Sequence, residues 1–237
     1  MQKKELQMKK WVMPVLLGAA FVLITVSGIL VRQNILFLMP LYISLVVATM
    51  NARVSRYAKL IGGVNSVFYA AVFIYYGLYG NAMNALLVSC TLQLITFFRW
   101  RKHPWGHSTI FHKMSGRLRA AVALGFCALS MGVFLVLRGL GSEYQLVDTL
   151  STGVGLLTSF LNMLAYVEYT WVMLPNDIVT IVTYSAMAVK NPEQLPYVIY
   201  SLYGFICGCM AFVRVRRLYA EQQAAKTSLL PEENAVR

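Results

Sequence analysis

Eight apolar stretches run through this chain, and most of them approach the roughly 20 residues that a helix needs to cross a lipid bilayer. They cover approximately residues 11–31, 35–50, 60–79, 82–98, 118–137, 146–167, 171–189 and 195–213. The connections between them are very short except for the loop over residues 99–117, so little of the chain is left to form a soluble domain. Any function must therefore lie among the helices.

The positions of the lysines and arginines predict an orientation for these crossings. If every stretch crosses, the N-terminal segment, the 53–59 turn, the 99–119 loop and the tail from residue 214 all lie on one face. The opposite face keeps only Arg32, Arg138 and Lys190. Because cytoplasmic loops are enriched in Lys and Arg, we predict eight transmembrane helices with both termini in the cytoplasm.

The composition agrees with a membrane protein. Apolar residues make up 58% of the chain and charged residues only 13%, which is too little polar surface to cover a soluble domain. The net charge of +12 lies mainly in the loops, where it sets topology and meets anionic headgroups, so no nucleic-acid partner is predicted. The sequence predicts an all-α integral membrane protein in a lipid bilayer.

Stretches two to four and stretches six to eight resemble two copies of a three-helix unit. Asn65 and Asn176 hold matching positions in the middle stretch of each unit, and a basic cluster ends each unit. The offset between the copies is slightly larger at the basic clusters than at the asparagines. Because one intervening helix gives both units the same orientation, we predict a 3+1+3 core of parallel repeats plus one extra N-terminal helix, with substrate bound between the repeats.

This organisation predicts the following segments. Residues 1–10 form a cytoplasmic N-terminus, and residues 11–33 form the extra transmembrane helix, which is too long for a signal peptide and lacks a cleavage site. Residues 34–102 form the first repeat, 103–145 a cytoplasmic basic loop and linking helix, and 146–217 the second repeat. Residues 218–237 are polar with almost no apolar periodicity, which predicts a disordered cytoplasmic tail.

Polar side chains within the stretches are candidates for a substrate path, because a polar group in hydrocarbon is costly unless it is paired or faces an aqueous cavity. Only Asp148 and Asp177 carry charge there, which favours an uncoupled carrier of a neutral or mildly charged solute. Amides interleaved with aromatic rings suit a small ligand with an aromatic base and a sugar. The predicted substrate-binding residues are Asn65, Tyr69, Gln93, Asn162, Tyr166, Trp171, Asn176, Asp177, Thr180 and Tyr203.

These residue types also have purely structural interpretations. In membrane helices Asn, Ser and Thr often bond a neighbouring helix, and aromatic residues near helix ends, such as Trp171, often form interfacial belts.

A histidine-containing cytoplasmic loop suggests an alternative class, a membrane enzyme or assembly factor with a metal site. Pro104 and Gly106 break the helix that an i, i+4 pair would need, and no carboxylate or cysteine lies near its histidines, which are His103, His107 and His112. Nucleophile-elbow, P-loop and zinc-protease motifs are absent from the sequence. We therefore predict a protein that is not an enzyme and has no cofactor or metal.

Several ordered segments resemble the PnuC-type nicotinamide riboside transporters. In the first repeat these are Gly62-Gly63-Val64-Asn65-Ser66-Val67-Phe68-Tyr69, Gly77-Leu78-Tyr79-Gly80-Asn81-Ala82 and Gln93-Leu94-Ile95-Thr96-Phe97-Phe98-Arg99-Trp100. In the second they are Asp148-Thr149, Tyr166, Glu168, Trp171, Asn176-Asp177 and Ser201-Leu202-Tyr203-Gly204-Phe205. The likeness covers residues 35–217, which makes the first stretch an addition to a seven-helix core.

This resemblance implies a homotrimeric facilitator in the bacterial inner membrane that moves a small-molecule vitamin. The expected substrate is nicotinamide riboside, with net uptake driven by a cytosolic nucleoside kinase that phosphorylates the imported molecule. Because relatives move thiamine, riboflavin or deoxynucleosides, those substrates remain alternatives.

Overall fold

The computed structural model describes residues 2–75, 82–139 and 145–234. Within this part the chain forms eight α-helices, of which the fourth continues directly from a π-helical segment, Asn84–Cys90. The helices are α1 Gln2–Leu30, α2 Ile35–Ala52, α3 Tyr57–Tyr75, α4 Thr91–Lys102, α5 Gly116–Gly139, α6 Gln145–Met163, α7 Tyr169–Lys190 and α8 Leu195–Asn234. Most of the segment Gly77 to Ala82 and the side chain of Asp148 lie outside the described residues.

Four segments among the described residues are long and apolar enough to span a membrane by length and composition. They are Trp11–Leu30, Ile35–Ala52, Tyr169–Lys190 and Pro192–Ser228. The other predicted stretches are also helical where they are described. The all-helical fold is therefore as expected, and the count of eight crossings stays a prediction.

Six of the helices follow one another around a ring. The neighbours are α2 with α3, α3 with α4, α4 with α6, α6 with α7, α7 with α8 and α8 with α2. Helix α1 packs on α2 and α8, and α5 packs on α6, both outside this succession. The first helix of each predicted unit therefore contacts the third helix of the other unit. Such reciprocal contacts are expected when two similar three-helix units pack together.

The turns that end α2 and α6 have the same hydrogen-bond pattern. Val54 donates its N–H to the Asn51 carbonyl and Ala165 to the Asn162 carbonyl, at 2.8 and 3.0 Å. Val54 and Ala165 have φ of 55° and 56°, the left-handed conformation of a helix C-terminal cap, and their separation in the chain equals that of the two matching asparagines. Their N–H bonds and the bonds of the following residues match the Schellman motif, so the chain reverses in the same way twice.

The loop over residues 103–115, which joins α4 to α5, is hydrogen-bonded to both of these turns. It contains a two-stranded antiparallel hairpin, Pro104–Trp105 with Ser108–Thr109. Arg56 in one turn donates its N–H to the His107 carbonyl at 3.0 Å, and Val167 in the other donates to the His112 carbonyl at 2.9 Å. The 53–59 turn and the basic loop therefore lie at the same end of the bundle, which we call the basic end.

An apolar cluster closes the basic end. It includes Trp100, Phe111, Leu161 and Val215, each at most 2% exposed, from four different parts of the chain. Trp100 also donates its indole N–H to the Asn162 carbonyl at 3.0 Å, linking α4 to α6. This packing fixes the helix ends relative to one another.

The structure differs from the sequence prediction in the tail. Instead of becoming disordered at residue 218, the chain continues as helix α8 to Asn234. Leu218 and Gln222 are buried against the loop; Gln222 accepts from the Phe111 N–H and donates to the Thr109 carbonyl, both at 2.9 Å. One glutamine satisfies two backbone groups, an interaction that apolar periodicity does not reveal.

Replacing Gln222 with Ala should loosen this loop. Two buried backbone groups would lose their partners, at a cost of about 1–3 kcal/mol, so exchange of the Phe111 amide hydrogen should accelerate about 5- to 150-fold. Hydrogen exchange of the detergent-solubilised protein measures this. Gln223→Ala, at an exposed neighbouring position, is the matched control, and an equal effect of both substitutions would contradict the role assigned to Gln222.

Candidate functional site

Asn65 lies near the middle of α3 and links that helix to α2. It is only 5% exposed, and its Nδ2 donates to the Ser44 hydroxyl at 2.8 Å and to the Pro40 carbonyl at 3.2 Å. Its Oδ1 is also buried but accepts no hydrogen bond from the residues that the structure describes. A buried acceptor without a donor is costly, so this oxygen is available to a bound ligand or water.

Four tyrosines extend the site from α3 towards α7 and α8. Tyr69 shares a hydrogen bond with Ser44 at 3.3 Å and lies near the other three. Tyr184 and Tyr197 stack with ring centroids 5.5 Å apart and planes 27° apart. We call Tyr69, Tyr184, Tyr197 and Tyr200 the tyrosine cluster. It lies where α2 and α3 face α7 and α8, so it joins the two halves of the ring.

Helix α7 contributes a second buried amide. The Oδ1 of Asn176 is buried and, among the described residues, has no hydrogen-bond partner. Its backbone carbonyl accepts from the Thr180 hydroxyl at 2.8 Å. The preceding residue, Pro175, lies inside the helix and lacks an N–H, which leaves one carbonyl of the preceding turn without its usual donor.

Asp177 packs against the backbone of α8. A Cβ on Gly208 would lie 2.6 Å from Asp177 Oδ2, so the glycine is what allows this close approach. Asp177 also lies near Tyr200 and Cys207. This side chain therefore brings a carboxylate to the edge of the tyrosine cluster.

Gln93 makes the corresponding contact in the first half. It donates to the Ser66 hydroxyl at 3.4 Å, and a Cβ on Gly62 would collide with its Oε1. Gly62 thus leaves room for an amide between α3 and α4.

Tyr203 connects α8 to α2. Its hydroxyl lies 2.6 Å from the Thr49 hydroxyl, which donates its own proton to the Leu45 carbonyl at 2.8 Å. Tyr203 must therefore be the donor in the shorter bond. Because α2 and α8 belong to different halves, this bond holds the halves together.

Three of the predicted site residues lie at the basic end instead. Asn162 ends α6 with its Oδ1 buried, and Tyr166 forms an isolated bridge with His112 in the turn that follows. Trp171 is 57% exposed and packs edge-on against Phe212, with ring centroids 5.1 Å apart. The structure links Asn65 to Tyr69 through Ser44 and places Asp177 near Tyr200, whereas Asn162, Tyr166 and Trp171 lie apart from them at the basic end. Gln93, Asn176, Thr180 and Tyr203 lie on α4, α7 and α8, and a common site for all of these residues stays a prediction.

The sequence analysis did not select Ser44, Thr49 or three members of the tyrosine cluster as site residues. Ser44 is a single hydroxyl in a strongly apolar helix, and only its bonds to Asn65 and Tyr69 give it significance. Tyr197 and Tyr200 do carry a signal, since their i, i+3 spacing places both on one face of α8. The face that looks inward, however, depends on tertiary packing.

The histidines of the loop serve its backbone geometry. The carbonyls of His107 and His112 accept from the two turns, and all three histidine side chains are exposed. In the described part of the chain, no group of three or more His, Cys, Asp or Glu residues is arranged to hold a metal ion.

Comparison with known proteins gives consistent matches. Residues 34–214 match the model of the nicotinamide mononucleotide transporter family. The nicotinamide riboside transporter PnuC of Neisseria mucosa is 28% identical over 168 residues, covering 65% of this chain and 63% of that protein's own length. The crystal structure of the vitamin B3 transporter PnuC has a similar fold, with a TM-score of 0.74 and 20% identity over 88% of this chain and 92% of that one.

A double-mutant cycle on Thr49 and Tyr203 tests the bond between the halves. Thr49→Val and Tyr203→Phe should show a coupling free energy of about 0.6 kcal/mol, the average for bonds between membrane helices. Equilibrium unfolding in mixed micelles of the wild type, both single variants and the double variant measures it. Strictly additive single effects would show that the hydroxyls do not interact.

Proposed function

Since this chain belongs to the nicotinamide mononucleotide transporter family, we propose that it transports nicotinamide riboside across the membrane by facilitated diffusion. The chain is a multi-pass membrane protein, as its family and its long apolar helices indicate. The substrate is suggested by the name of the Neisseria mucosa relative, a nicotinamide riboside transporter. The site geometry supports this choice.

The observation that carries the proposal is a pair of buried amide oxygens at matching positions in the two halves. Asn65 and Asn176 each lie in the middle helix of their half, and neither Oδ1 has a partner among the described residues. Nicotinamide riboside offers a carboxamide and ribose hydroxyls as donors and a flat ring for stacking. Two acceptors beside aromatic rings match these groups.

The other site residues complete this recognition. Gln93 and Asp177 supply further polar groups from α4 and α7, and Thr180 shares the inward face of α7. Asp177 also favours the positively charged nicotinamide ring, because opposite charges attract strongly where water is excluded. Tyr69 and Tyr203 border the bound nicotinamide ring. Asn162, Tyr166 and Trp171 are left outside the proposed site because they lie at the basic end.

We further propose a 3+1+3 core of two parallel repeats, with α1 as an extra helix and eight crossings in total. The matching turns at Val54 and Ala165 and the exchanged contacts around the ring support this arrangement. So does a pair of equivalent contacts: Ser66 with Gln93 in one half, and Asp177 with Gly208 in the other. Ser66 and Asp177, on the two middle helices, are separated in the chain by as many residues as the two matching asparagines. Gln93 and Gly208, on the two third helices, are separated by as many residues as the two basic clusters.

Transport in this scheme requires the repeats to move relative to one another around a site between them. The basic end faces the cytoplasm, because basic residues are retained on that side. No coupling ion is involved, so net uptake depends on a cytosolic kinase that phosphorylates the arriving nucleoside. The functional unit is a homotrimer in the bacterial inner membrane, with one path in each protomer.

Replacing Asn65 or Asn176 with Ala should reduce uptake far more than membrane abundance. Loss of one buried hydrogen bond to substrate, about 1.4 kcal/mol or more, corresponds to at least a tenfold weaker apparent affinity. Uptake of labelled nicotinamide riboside by cells, normalised to protein in the membrane, measures the effect. Asn191→Ala, at the exposed end of α7, is the control and should stay within about twofold of wild type; equal losses of uptake and abundance would make the asparagines purely structural.

Reconstitution tests substrate and mechanism together. Liposomes that contain the purified protein should equilibrate labelled nicotinamide riboside saturably with no ion gradient, and only the unlabelled compound should compete. Competition by thiamine, riboflavin or a deoxynucleoside would keep the mechanism and replace the substrate. The absence of protein-dependent flux of any of these compounds would contradict the transport proposal.

A further inference from the structure

A second cavity lies at the basic end, apart from the proposed substrate site. It has a volume of about 740 Å³ and is bordered by the loop before α5, by α5 itself, by α6 and α7, and by the part of α8 beyond residue 214. None of Asn65, Gln93, Asn176 or the tyrosine cluster lines it. Its volume is in the range of pockets that bind small molecules.

The rim of this cavity is positively charged. Lys113, Arg119 and Arg216 line it together with one carboxylate, Glu168. Glu168 is already engaged: it pairs with Arg119 at 2.6 Å and accepts from the Met114 N–H at 3.1 Å. Lys113 and Arg216 form no ion pair with any described residue, so the rim has a net positive charge without a counter-ion.

Arg216 is held in place by aromatic rings rather than by an acid. Its guanidinium carbon lies 4.4 Å from the Trp171 ring centroid and 4.2 Å from that of Phe212. A guanidinium that stacks on rings keeps its N–H groups available at its edge, in a geometry that suits the oxygens of a phosphate. The half-exposed Trp171 therefore positions a cation at the rim.

The wall of the cavity is apolar. Val122, Ala123 and Phe126 come from α5, Leu157 from α6 and Val172 from α7. The pocket thus combines a cationic rim, at the end of the bundle that faces a membrane surface, with a hydrocarbon-like interior along the helices. An inorganic phosphate or a soluble nucleotide would leave that interior unfilled.

We infer that this cavity binds an anionic phospholipid, with the phosphate at Lys113 and Arg216 and an acyl chain along the apolar wall. Clusters of basic residues at the cytoplasmic surface attract anionic headgroups, and each Lys or Arg contributes about 1 kcal/mol. A basic pocket between transmembrane helices also fixes the position of the headgroup. The inference needs the membrane orientation of the basic end but does not depend on the identity of the transported substrate.

Quenching of Trp171 by brominated lipids tests this site directly. The full-length protein is reconstituted into vesicles of phosphatidylcholine that contain either brominated phosphatidylglycerol or brominated phosphatidylcholine at equal mole fraction. Subtracting the signal of Trp171→Phe isolates the Trp171 contribution from the other tryptophans. The phosphatidylglycerol should quench Trp171 preferentially.

Charge-removing variants give the expected magnitude. Arg216→Gln and Lys113→Gln, each made in the protein that keeps all its tryptophans, should each lower the preference for phosphatidylglycerol about fivefold. Arg214→Gln removes the same charge from an exposed position on the same helix, outside the cavity lining, and should leave the preference within about twofold. Melting temperatures confirm that the variants are folded, and Lys113→Gln in the loop retains the test if Arg216→Gln does not fold.

Four results would overturn the inference. One is equal quenching by the two lipids, and another is an equal loss of preference in Arg214→Gln. A third is full displacement of the lipid by soluble inorganic phosphate, which would identify a phosphate site rather than a lipid site. The fourth is a change of oligomeric state in Arg216→Gln with no change in quenching, which would assign the cavity to an interface between copies.

Discussion

The rest of this structure depends on one constraint: within hydrocarbon, polar groups must find their partners inside the protein. The helices satisfy the backbone, many hydroxyls bond a carbonyl of their own helix, and interhelical bonds satisfy other polar side chains. Thr49 with Tyr203 and Asn65 with Ser44 are examples. The buried Oδ1 atoms of Asn65 and Asn176 belong to the small set of polar side-chain atoms that have no partner among the described residues. The proposed recognition of substrate uses these two exceptions.

The two halves share a geometry but differ in chemistry. Ser66 contacts Gln93 in one half, whereas Asp177 contacts Gly208 at the equivalent place in the other. The large polar side chain comes from the third helix in the first case and from the middle helix in the second, and a small residue lies opposite it each time. The proposed pathway between the halves would therefore be lined asymmetrically, with an amide on one side and a carboxylate on the other, as an asymmetric molecule requires for binding in a single orientation.

Features that follow from a periodic pattern in the sequence could be predicted, whereas features that depend on contacts between distant residues could not. The helices, the grouping of the basic loops at one end and the amides of α3 and α7 follow from apolar length, charge position and the spacing of the repeat. Ser44 could not be selected, because its role comes from bonds to residues 21 and 25 positions away. The position of Trp171 at the basic end could not be predicted, because aromaticity does not show which way a helix faces. Order beyond residue 218 was missed because it rests on Leu218 packing and on Gln222, whose amide bonds to a loop distant in the chain.

The loop between the halves binds both turns mainly through peptide groups, with a further bond from the Met114 N–H to the Glu168 carboxylate. Arg56 and Val167 each contribute an N–H, and His107 and His112 each contribute a carbonyl, so neither bond requires a particular side chain. These four side chains can therefore change during evolution while the two backbone hydrogen bonds persist. Proline is the exception at the two donor positions, because it has no N–H to donate. Residue identity among relatives would not reveal these two backbone hydrogen bonds. The positions at which relatives avoid proline would reveal them.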